Sequence, residues 1–248
     1  MYVPDIRSLP LRRIDDLTAD HALLDDGQVQ IGIWECREGE LDGAADTGLG
    51  DFDEAMFMVA GRCTVRPPAG ATGDTGPAGN TGPTGDTGPA GGLDLAPGTL
   101  WVTPRRWAGD WIVHQTVRKL YVIDQREGEP GTAAHLPNAY TSALGESARR
   151  PVVLAGDPHE ASAPLWSHNR LEAGVWACTP GEFPFRRDGY DEVFCVLGGH
   201  ATLHVDGAQG PGQSFELRPG SVLLTPAGLT GRWVVHETLR KAYVIVHR

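Results

Sequence analysis

The strongest constraint on this chain is that it is written twice. Residues 97–124, PGTLWVTPRRWAGDWIVHQTVRKLYVID, align without gaps with 219–246, PGSVLLTPAGLTGRWVVHETLRKAYVIV, and 14 of the 28 positions are identical. Two shorter blocks precede them in the same order. IGIWECREG (31–39) matches AGVWACTPG (173–181), and DEAMFMVAG (53–61) matches DEVFCVLGG (191–199). Three blocks repeated in one order indicate duplication of a domain rather than of a motif. With 248 residues, each copy has about 100 with which to build a core.

Each copy is dense in Val, Ile, Trp, Tyr and Thr, and Gly, Pro and Asp interrupt it every 8–12 residues or so. Sustained 3.6-residue periodicity with caps is absent. This predicts an all-β chain of two sandwich-like or barrel domains. The expected boundaries are an N-terminal arm (1–28), a first barrel (29–126), a connector (127–165) with a short strand near 151–154, and a second barrel (166–248).

In the second copy, Gly181 is followed by Glu192, Gly199, Pro219-Gly220, Pro226 and Gly228. This spacing resembles the two-motif pattern of the cupin superfamily. The ending WVVHETLRKAYVI is similar to that of the ureidoglycine-aminohydrolase-like and ethanolamine-utilisation cupins. The resemblance spans about 31–124 and 173–246. It implies two tandem double-stranded β-helix (jelly-roll) barrels, a bicupin.

The same resemblance implies a metal held by two histidines and a glutamate in the first motif and a histidine in the second. Here the first-motif histidine positions hold Arg187 and Gly189, Glu192 is kept, and Gly231 stands at the second-motif position. The first copy keeps Glu54 and has Gly109 at the second-motif position. The positions matching the aminohydrolase ligands hold Arg186, Asp188, Glu192 and Gly231. Two hard carboxylates hold a transition metal weakly. The expectation is therefore no metal cofactor and no carry-over of the aminohydrolase activity.

If the cupin register holds, Glu192, Phe194 and Val196 face the barrel interior. A carboxylate there must be paired or neutralised. The last strand offers Lys241 with Tyr243 on one face and Arg240 on the other. The expected pair is Glu192–Lys241 or Glu192–Arg240, where other cupins hold a metal. Glu192, Lys241 and Tyr243 are the candidate catalytic residues, the lysine serving as base or carbonyl-binding group. Arg187, Asp188, Phe194, Trp233 and Arg240 are the candidate ligand contacts. Glu54, Lys119 and Tyr121 form the corresponding set in the first barrel. A buried Glu–Lys pair present in both copies also fits a purely structural tie.

Other repeated residues carry less chemistry. His200 and His204 match Arg62 and Arg66, so that face is expected to be solvated. His114 and His236 are placed at a hairpin turn before the last strand. Trp34/Trp176 and Trp111/Trp233 are expected in the cores. Arg105 and Arg106 are candidates for a rim anion site in the first barrel. The second barrel is the expected working one, because its first-motif spacing is intact.

The formal net charge of −11 disfavours binding to nucleic-acid phosphates or anionic membranes. The first residues lack the apolar core of a signal peptide, and no run approaches the ~18 apolar residues of a membrane span. Four scattered cysteines without a CxxC pair argue against a zinc site. The expected protein is cytoplasmic, binds a small polar metabolite, and pairs into a homodimer if its sheet edges stay open. A small-molecule enzyme and a structural or interaction protein are the alternatives.

Residues 70–91 place glycine at every third position eight times. Sixteen more residues separate Gly61 from Gly98 than Gly199 from Gly220, so the segment replaces the hairpin tip of the second copy. A triple-helical strand rises about 3 Å per residue and cannot return to its start. The repeat therefore predicts a loop without stable secondary structure, set between two strands of one barrel.

Overall fold

The computed structural model describes residues 1–41, 51–66, 92–107, 109–129, 134–207 and 212–248. The Gly-x-y segment 70–91 lies outside these residues. Every element among them is a strand, and the chain divides into two compact units, Pro10–Leu136 and Met1–Leu9 with Pro137–Arg248. The chain opens with β1 (Tyr2–Val3), which belongs to the second unit.

The first unit uses β2 (Arg12–Arg13), β3 (Thr18–Asp25), β4 (Val29–Cys36), β5 (Gly39–Leu41), β6 (Asp53–Arg66), β7 (Leu93–Leu95), β8 (Leu100–Thr103), β9 (Asp110–Asp124) and β10 (Ala134–His135). The second uses β11 (Ala148–Arg149), β12 (Ala155–Gly156), β13 (His159–His168), β14 (Leu171–Cys178), β15 (Gly181–Arg186), β16 (Tyr190–Val205), β17 (Gln213–Leu217), β18 (Val222–Thr225) and β19 (Thr230–His247). The sheet orders correspond: β10-β8-β6-β9-β4-β3-β2 in one, β1-β18-β16-β19-β14-β13-β11 in the other, with β5 and β15 on β9 and β19, and β7 and β17 on β6 and β16.

The two long strands of each barrel form its frame. Between Val196 and Ala201, five steps along β16 face six along β19, and Met58 to Cys63 repeats this against β9. The mismatch flips the side-chain alternation on one strand only. Inward residues of β16 pass from Phe194 and Val196 to Ala201 and Leu203, while β19 keeps Trp233, Val235, Leu239 and Tyr243. Gly61 and Gly199 sit in these bulges at φ of 82° and 83°. A Cβ there would lie 2.1 Å from the Thr116 carbonyl oxygen, or 2.2 Å from that of Thr238, so only glycine fits.

Several expectations need correction. The arm and the connector are not peripheral. β3 and β13 are strands of eight and ten residues that pair along β4 and β14. Their alternation was hidden by small and polar residues. Residues 151–154 form a bend rather than a strand. His114 and His236 lie within β9 and β19, not in a turn, because the bulge bends one continuous strand where a break was expected.

A fourth repeated block emerges as well. YVPDI (2–6) matches HLPNA (135–139) in role: β1 pairs with β18 and β10 with β8. Asp5 and Asn138 then accept the backbone N–H two residues on, each at 3.0 Å, which turns the chain identically. The strands flanking the Gly-x-y segment are antiparallel neighbours, Val65 opposite Leu93, as Val205 is opposite Gln213.

Candidate functional site

The aspartate of each Asp-Glu repeat clamps a loop. Asp53 accepts the Arg105 N–H at 3.0 Å and Asp191 the Ala227 N–H at 2.7 Å. Arg105 also pairs with Asp53 and donates to the Arg126 carbonyl at 2.9 Å, and Arg106 faces Asp51. These arginines brace the first barrel's loop rather than form a rim anion site, because Asp53 of β6 and Asp51 just before it already engage them.

The glutamate of each pair faces inward. In the second barrel, Lys241 Nζ donates to Glu192 Oε1 at 2.5 Å, and both residues are about 5% exposed. The Arg187 guanidinium meets the other oxygen, Oε2. Arg187 Nε also donates to Thr225 Oγ1 at 2.9 Å, and the guanidinium stacks on Phe185 at 4.9 Å and Tyr190 at 5.7 Å. The lysine sits among aromatic faces, 4.4 Å from Phe194, 5.0 Å from Trp176 and 5.4 Å from Trp233. Glu192, Lys241, Arg187, Phe185, Tyr190, Trp176 and Trp233 line a cavity of about 250 Å³.

The electrostatics follow from burial. Desolvation pushes the Lys241 ammonium down to about 8; Glu192 opposes the shift and Arg187 reinforces it. Desolvation of Glu192 pulls the other way, but Lys241 and Arg187 outweigh it and hold this carboxyl below its usual value. One carboxylate between two cations leaves the cavity floor with a net positive charge.

In the first barrel, Lys119 Nζ donates to Glu54 Oε1 at 2.8 Å and lies 5.0 Å from Trp34 and 5.1 Å from Trp111. The cavity there is about 420 Å³, and among the described residues no arginine lines it. Asp20 faces it instead. Burial raises the Asp20 carboxyl, and the Tyr121 hydroxyl donates to it. Tyr243 makes the corresponding bond to Glu172, at 2.9 Å, from a different strand.

The cavities thus gather Glu192, Lys241, Tyr243, Arg187 and Trp233 in one barrel, and Glu54, Lys119 and Tyr121 in the other. Three candidates lie elsewhere. Phe194 is fully buried in the core, its ring against Lys241 and Trp233. Asp188 is exposed and pairs with Arg186, since the turn at Gly189 directs it outward. Arg240 binds the Ala139 and Ser142 carbonyls at 2.8 and 2.7 Å on the outer face, because alternation places it opposite Lys241. Of the two pairings expected for Glu192, the structure contains the one with Lys241.

Two residues were missed. Arg150 Nη1 grips both Glu160 oxygens at 2.6 Å and lies 4.6 Å over Phe183. The Trp176 indole also donates to Glu160, at 2.8 Å. Both fell in the supposed connector, and their only signal was the arginine pair at 149–150.

The donor set does not suit a metal ion. Both oxygens of Glu192 are engaged by cations, and Gly231 stands where a second-motif ligand would be.

A family model for the EutQ-like cupin domain matches residues 167–243. A protein of unknown function of the DUF861 family from Pseudomonas syringae pv. tomato superposes with a TM-score of 0.71 at 16% identity, covering 99% of this chain and 98% of its own. The chain has the bicupin fold. A cupin 2 conserved barrel domain protein from Leptotrichia buccalis gives 0.64 at 12% identity, covering 100% and 96%. A Bacillus subtilis oxalate decarboxylase gives 0.55 at 12%, covering 100% of this chain and 77% of its own. No curated protein matches this bicupin by sequence. At these identities the likeness is one of fold, and function has to be argued from the cavities.

Proposed function

We propose that the second barrel binds a small metabolite through its carboxylate, received by Arg187 and Lys241 on a floor of Glu192, with Trp176 and Trp233 as walls. The observation that carries this reading is the imbalance of buried charge: one carboxylate faces two cations at about 5–7% exposure in a cavity that an anion would neutralise. Aromatic walls with a few convergent polar groups are the usual make-up of such sites.

Calorimetric titration with L-lactate and with propylamine tests it. Lactate is expected to bind, propylamine is not, and Arg187→Ala abolishes the lactate signal while Lys119→Met leaves it intact. Equal binding of the amine, or lactate binding that survives Arg187→Ala unchanged, overturns the reading.

A further inference from the structure

Of the 21 lysines and arginines in the sequence, only Lys119 and Lys241 are lysine. Both are buried, at matching positions of the two barrels, each on the inward glutamate. Everywhere else this chain uses arginine for positive charge. Arginine stays protonated and is no nucleophile, whereas a buried lysine can lose its proton and attack a carbonyl. Among the described residues, the site of Lys241 adds a second cation beside the amine, Arg187, and that of Lys119 does not. Desolvation next to a cationic group is the arrangement that makes a lysine amine reactive.

We propose that Lys241 is an imine-forming amine, and that the second barrel's ligand is a small 2-oxo carboxylate whose carbonyl carbon it captures while Arg187 holds the carboxylate. This rests on the carboxylate-binding reading above and names the ligand class. Glu192, hydrogen-bonded to Nζ, accepts the ammonium proton. The freed lone pair forms a C–N bond to the carbonyl carbon, and one proton passes from that nitrogen to the carbonyl oxygen to give a neutral carbinolamine. Glu192 returns the proton it accepted to the departing hydroxyl, the C–O bond breaks, and one water leaves as the nitrogen lone pair forms the protonated C=N bond beside the regenerated carboxylate. Atoms and charge balance without an outside oxidant or reductant.

The test uses the full chain, pyruvate and cyanoborohydride, with peptide mass mapping. Apart from the N-terminus, Lys119 and Lys241 are the only primary amines to compare. An N-(1-carboxyethyl) adduct is expected on Lys241 and not on Lys119. Its yield rises as pH passes through about 8, and excess lactate suppresses it in the unaltered protein. Lys241→Arg, which keeps the charge, loses the adduct, and acetone, a methyl ketone that lacks the carboxylate, labels poorly. Absence of the adduct at Lys241, or equal labelling of Lys119, overturns the inference. If lactate binds while pyruvate leaves no adduct, the imine fails and the carboxylate reading stands. If neither lactate nor pyruvate binds, the carboxylate reading fails and takes the imine with it.

Discussion

The two barrels share a frame, a bulge and an inward Glu–Lys pair, yet their cavities differ in size and sign. Leu41 and Met56 in the first stand where Phe183 and Phe194 stand in the second, by equivalent pairing to Trp111 and Trp233 and to Tyr121 and Tyr243. The larger rings, with Arg187, fill the second cavity to about 250 Å³ against about 420 Å³. The tyrosine's carboxylate partner has also moved. Asp20 and Gln30 flank the first site where Ser162 and Glu172 occupy the corresponding positions of the second. The ion pair is common to both cavities, and what surrounds it differs.

The largest expected effect separates the barrels by their counter-ions. Among the described residues, Glu54 has Lys119 as its ion partner, whereas Glu192 has Lys241 and Arg187. Removing one partner of a buried pair costs about 3–5 kcal/mol when the other is left alone. Lys119→Met should cost about that much in urea unfolding, and Lys241→Met roughly half, because Arg187 still faces Glu192. An equal or greater loss for Lys241→Met would remove Arg187 from the account.

Next come the glycines beneath the tyrosines. A Cβ on Gly174 would meet the Ala163 carbonyl oxygen at 2.5 Å and the Tyr243 hydroxyl at 2.6 Å, and one on Gly32 the Tyr121 hydroxyl at 2.5 Å and the His21 carbonyl oxygen at 2.9 Å. Alanine at either position should lower stability by about 1–3 kcal/mol, more at Gly174, where the unyielding backbone oxygen is the closer of the two. Calorimetry that ranks Gly32→Ala as the worse change would contradict the contacts.

A pH effect follows from Glu192. Its folded value lies below the unfolded one of 4.5, so the folded state binds fewer protons in between. The stabilisation is present above pH 4.5 and is lost as pH falls through the folded value. Melting temperatures between pH 7 and pH 3 should fall less steeply for Glu192→Gln than for the unaltered chain; parallel curves would refute it.

The smallest effects concern the residues that point away. Asp188→Ala should leave lactate affinity unchanged in calorimetric titration, as expected for an exposed ion pair. Arg240→Ala should cost some stability, through its lost bonds to 139 and 142, but no affinity. A drop in affinity for either variant would place it at the site after all.

Much of this was legible in the chain. Fourteen identities in 28 positions fix two copies of one β fold, and the period of two puts Glu192 with Phe194 on one face of its strand, and Lys241 with Tyr243 on one face of the last, because alternation is a local property of a strand. Proximity between distant segments is not local. The structure decides that Arg150, 91 positions before Lys241, shares a cavity with it. It also decides that Arg240 faces outward, and that residues 2–3 complete the sheet that ends at residue 247. Sequence determined what each strand presents on its two faces. Closure of the barrel determined which faces meet, and so lined one cavity with Arg187 and the other with Asp20.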